Sequence, residues 1–102
     1  MMNKNMMKQA QQLQKQMMKL QEEIEASTVE HSTGGGAVKV IVTGKMIVQS
    51  IEIDPEVIDP EETEMLEDLI QSAINGAIEK AQELASSKMG ALTGGLNLPG
   101  LV

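Results

Sequence analysis

Four lysines open the chain with no acid among them: Lys4, Lys8, Lys15 and Lys19 all lie in the first twenty residues. An ammonium group on a flexible stem meets phosphate as a point charge, and a row of them can follow a polyanionic backbone. The other chemical candidates are weaker. His31 has no cysteine or second histidine with which to share a metal, and no partners for a triad. It is expected at the surface. Gly34, Gly35 and Gly36 are not followed by the Gly-Lys-Ser/Thr element of a phosphate-cradling loop, and Gly44-Lys45 reads as a hairpin turn. The acids between Glu52 and Asp68 lack the spacing of a calcium loop; helix capping and solubility account for them. Paired carboxylates for hydrolysis need a cleft, which so small a chain without aromatics has little means to build. The sequence therefore reads as a non-enzyme with no cofactor, no metal and no small-molecule substrate.

Composition narrows the class further. The 102 residues suffice for one domain. Cysteine is absent, which excludes a disulfide framework and fits a reducing compartment. No signal peptide is visible and no aliphatic run is long enough to span a bilayer, so a cytoplasmic, membrane-free protein is expected. Without Phe, Tyr or Trp there are no stacking platforms for single strands. Without arginine, bidentate reading of guanine is weak, so any nucleic-acid contact is expected to discriminate sequence poorly. The net charge of −7 opposes nucleic acid, but it is unevenly spread. The basic first twenty residues precede a body whose residues 52–68 hold nine acids and no base.

The elements that must position these charges can be read from periodicity. Met6, Ala10, Leu13, Met17, Leu20 and Ile24 repeat at alternating spacings of four and three, an apolar helical seam over about residues 3–26. The four lysines fall opposite that seam. Two readings of them stand: a phosphate-tracking arm, or an ordinary solvated face. The seam itself needs cover, from a second helix of this chain or from the same helix of a partner. Residues 27–32, 37–43 and 46–53 alternate like three antiparallel strands, with Val38, Val40 and Val42 on one face and Ile47, Ile51 and Ile53 in phase. Such a sheet needs a helix on one face and invites a second sheet from a partner. Asp59, Pro60 and Glu62 resemble a cap, first-turn proline and capping box, which predicts a second helix over residues 60–89. Gly76, beside its apolar stripe, suggests a close approach. The fold class is α+β: a long helix, a three-stranded antiparallel sheet and a long helix in one domain (1–89), followed by a flexible Gly/Leu/Pro tail (90–102). The tail's leucines are candidates to dock on an exposed seam.

Five words in this order resemble the YbaB/EbfC family of bacterial nucleoid-associated proteins. They are MKQAQQLQKQM from Met7, KLQEEIE from Lys19, GGGAVKVIVTG from Gly34, IEIDPEV from Ile51 and EMLEDLIQSAINGAIEKA from Glu64, with a terminal LPG at Leu98. The resemblance covers nearly the whole chain. It implies a homodimer with projecting helical arms, binding to double-stranded DNA with limited sequence preference, a change in DNA shape, and association with the nucleoid. Added to the one-sided lysine ridge, it points to phosphate contact by Lys4, Lys8, Lys15 and Lys19, with Lys88 assisting. Family arms commonly carry arginine as well, so this all-lysine arm is expected to bind modestly and in a salt-sensitive way. Two other readings compete: a protein–protein adaptor using the methionine-rich seam, and a structural dimer without a ligand.

Overall fold

Asn3 starts the first helix, α1 (Lys4–Ala26), by accepting the Met6 backbone N–H on its side-chain oxygen at 2.8 Å. The computed structural model describes residues 3–96. Glutamine, lysine and methionine favour helix throughout α1. At its end the Ser27 hydroxyl donates to the Glu23 carbonyl (2.7 Å) and the Ser27 N–H to the Ile24 carbonyl (3.1 Å). The chain then turns into the sheet.

The three strands β1 (Thr28–Thr33), β2 (Val38–Thr43) and β3 (Val48–Ile53) form an antiparallel meander in that order. Gly34, Gly35 and Gly36 all take positive φ in the first turn, which a Cβ would strain. The second turn is wider than Gly44-Lys45. Met46 adopts φ 64° and donates its N–H to the Thr43 carbonyl, while the Thr43 N–H reaches the Ile47 carbonyl. A bulge then shifts the register: Ile41 faces Ser50, but Val42 faces Val48. The extra residue moves Val48, not Ile47, onto the face of Ile51 and Ile53. Ile47 is left 56% exposed.

The second helix, α2 (Thr63–Leu96), begins three residues after Pro60 and runs seven residues past Met89. Asp59 accepts the Glu61 N–H on its side chain (3.0 Å) and the Glu62 N–H on its carbonyl (2.9 Å), so it closes a turn ahead of the helix. Asp-Pro serves turns and caps equally well, and here it forms the turn, so the helix begins at Thr63 and not at Pro60. At the far end, Gly90 costs the helix only about 1 kcal/mol against alanine and does not stop it. Residues 90–96, expected in a flexible tail, are helical; residues 97–102 lie outside the described residues.

The core is narrow. Val38, Val40 and Val42 of β2 and Ala73, Ala77 and Ala81 of α2 are wholly buried. The alanines repeat every four residues, so one small-residue stripe of α2 lies flat on the central strand. Val29, Leu66, Leu69, Ile70, Ile74 and Ile78 pack around it. The Thr33 hydroxyl donates to the Leu69 carbonyl at 2.8 Å and the Lys80 ammonium to the Glu30 carbonyl at 3.1 Å, tying α2 to β1. On the side of β3 the helix gives little cover, and Ile51 stays 42% exposed on the inner face.

His31 is not a surface residue. It pairs with Val40, on the inner face of β1, and its ring lies against α2 where Gly76 has no side chain. Its Nδ1 is buried without a hydrogen-bond partner among the described residues. A Cβ at Gly76 would overlap the imidazole, and one at Gly44 would overlap the Ile24 carbonyl, where α1 meets the sheet. Gly90 has open space. In urea unfolding, Gly44→Ala is expected to cost ~1–3 kcal/mol through overpacking, whereas Gly90→Ala is expected to add ~1 kcal/mol. Gly76→Ala should also destabilise. Combining it with His31→Ala should recover part of that loss, as a positive coupling in a double-mutant cycle.

Candidate nucleic-acid interface

The lysine ridge survives folding. Lys4, Lys8, Lys15 and Lys19 are all exposed on α1. At roughly 100° per residue they lie within ~60° of one another around the helix and span ~22 Å along it. No carboxylate stands within 4.0 Å of any of them among the described residues, where both ion pairs belong to Lys39, reaching Glu30 (3.9 Å) and Glu52 (3.8 Å). Lys39 sits between these acids on the outer face of the sheet. Glu22 and Glu25 follow the ridge at its base. The arm therefore carries positive charge without an ion pair among the described residues, whereas Lys39 of the body is paired on both sides.

The helices meet on one flank of α1. Gln16, Lys19, Leu20 and Glu23 line a shallow groove with Lys88, Ala91 and Leu92 of α2. The Lys88 ammonium donates to the Ser27 hydroxyl at 3.4 Å and is half-buried. Lys88 thus acts first as a strut between α2 and the end of α1, although it shares the groove with Lys19. Sequence periodicity did not signal this strut, because its partner is 61 residues away. The apolar seam lies beside the contact. Ile24 is buried at its base and Leu13 and Leu20 are half-buried, whereas Met6 and Met17 are 51% and 43% exposed. Within this one chain, α2 leaves the outer half of the seam uncovered.

These elements give the molecule extents of 70 × 24 × 18 Å and a radius of gyration of 19.9 Å, against about 13 Å for a compact chain of this length. Among the described residues no helix is long and apolar enough to cross a membrane, and no three His, Asp or Glu side chains are grouped to hold a metal ion. What the arrangement can do is present a line of ammonium groups to a polyanion.

Comparison with known proteins agrees with this geometry. The sequence model of the YbaB/EbfC DNA-binding family matches residues 1–96. A relative from Alkaliphilus metalliredigens, named nucleoid-associated protein, is 57% identical over 97 residues, covering 95% of this chain and 85% of its own. Another of that name, from Pelotomaculum thermopropionicum, is 54% identical over 96 residues, covering 94% and 91%. The crystal structure of an uncharacterized protein from Helicobacter pylori shares the fold with a TM-score of 0.74, over 91% of this chain and 99% of that one, at 19% identity. With a family match spanning residues 1–96 and relatives more than half identical over nearly its whole length, the chain belongs to the YbaB/EbfC DNA-binding family.

Proposed function

We propose that the protein is a nucleoid-associated protein that binds duplex DNA as a homodimer, with little sequence preference, and alters the conformation of the duplex. The observation that carries this reading is the ridge of Lys4, Lys8, Lys15 and Lys19, exposed on one side of α1 with no carboxylate within 4.0 Å among the described residues. Lysine binds phosphate without reading bases, so contact through this ridge is largely blind to sequence. Lys88 assists from the neighbouring helix at the groove it shares with Lys19. A second copy is the fitting cover for the exposed part of the α1 seam and for the inner face of β3. Apolar surface left in water costs ~25 cal/mol per Å², and a core of three valines and three alanines is small. Pairing the chains places at least two lysine ridges on one particle, which gives it a means of holding a duplex in an altered path. The relatives' names favour the nucleoid as the place of action.

Net charge opposes this binding and limits it to short range. At physiological salt the screening length is ~8 Å, so only charges close to the duplex count. Each arm that engages four phosphates contributes a slope of roughly −3.6 to log K against log salt. In an anisotropy titration of a short duplex, each single Lys→Gln change in the ridge is expected to reduce the slope by about 0.9 for every arm engaged, since both chains of the dimer carry it. The quadruple variant should lose measurable binding while light scattering still returns twice the chain mass. Unaltered affinity in the quadruple variant would remove the ridge from the mechanism. A stoichiometric protein partner retained at about 0.15 M salt, with no DNA held by the parent, would favour the adaptor reading instead.

A further inference from the structure

Met7 and Met18 do not belong to the apolar seam of α1. At roughly 100° per residue they share a side of the helix to within ~20°, about 100° or more from the seam and ~16 Å apart along the axis. Each stands one turn from a lysine of the ridge, Met7 from Lys4 and Met18 from Lys15, close enough for neighbouring side chains to act on one surface. They are 50% and 64% exposed, and Met18 is the most exposed large apolar residue among those described. The α2 contact involves the opposite flank of the ridge, through Gln16, Leu20 and Glu23. Packing within the chain therefore does not account for these two thioethers. Glutamine, which fills the positions between them at Gln11 and Gln14, would serve a merely solvated face as well.

We propose that Met7 and Met18 are duplex-contacting residues. Their side chains enter the groove beside the phosphates held by the lysines and supply the non-electrostatic part of the affinity and of the distortion. The proposal rests on the duplex-binding reading and adds to it the group that touches base edges. The chain has no arginine for bidentate contact and no aromatic ring for stacking. A flexible, polarisable thioether is the apolar group that this face offers to thymine methyls or to an opened base step. It adapts to many sequences, which agrees with low specificity. The positive charge around it selects a polyanion as the occupant and disfavours an apolar protein surface.

The test uses the full chain with Met7→Gln and Met18→Gln together, since glutamine keeps the length and helix propensity of the side chain. Affinity for a short duplex is measured across a salt series, and the bend is followed by energy transfer between labelled duplex ends. The expected result is binding about tenfold weaker at every salt, an unchanged salt slope and a smaller bend. Met7→Leu with Met18→Leu is expected to retain affinity, and Met46→Gln, in the turn between β2 and β3, to change nothing. Parental affinity and bend in the glutamine variant would overturn the proposal. So would a flattened slope, which would mean that the substitution had displaced the lysines. A parent protein that binds no duplex in dilute buffer would sink the duplex reading itself, an outcome distinct from either of these.

Discussion

The contact between three valines of β2 and three alanines of α2 holds the rest of the molecule in place. Alanine at every fourth position leaves a nearly flat stripe on α2, and β2 presents its valines to that stripe at strand spacing. The helix axis can then lie close to the sheet, which brings its flanking groups within reach of β1. The Leu69 carbonyl meets the Thr33 hydroxyl and Lys80 meets the Glu30 carbonyl only at that separation. Farther along the same helix, Lys88 reaches Ser27 at the end of α1. A bulkier side chain in the stripe would lift α2 and loosen all three ties together.

Glycine carries the same constraint to the two places where backbone and side chain come closest. Gly44 accepts the end of α1 against the second turn, with its own N–H donating to the Ser27 carbonyl at 2.9 Å. Gly76 accepts the His31 ring between sheet and helix. In both cases the missing Cβ is what permits the approach, so each glycine is a packing requirement, with no positive φ involved.

Charge is separated by distance, and the elongated shape makes the separation effective. The acids that begin α2 lie ~36 Å along the helix from Lys88, several screening lengths at physiological salt. Within the body, Lys39 lies between Glu30 and Glu52, so its charge stays local. Among the described residues the ridge on α1 has no carboxylate within 4.0 Å. A chain that is strongly acidic in sum can therefore present a positive face at short range, where phosphates are met.

Periodicity and charge are local properties, and the amino-acid sequence determined both. Both helices, all three strands, the inward valines, the outward lysines and the close approach at Gly76 could be read from spacing alone. The family was legible by another route, as a resemblance carried by words spread along nearly the whole chain. The tertiary structure decided which of several locally equivalent outcomes was realised. Asp59-Pro60 suits a cap or a turn, and it formed a turn. Alternation marks two faces of a strand but not a bulge, so Val48 took the place expected for Ile47. His31 went under α2 because Gly76, 45 positions away in the sequence, left room for it. Lys88 became a strut for the same reason: its partner is near only after folding. Each depends on contacts between residues remote in sequence, which no local pattern encodes.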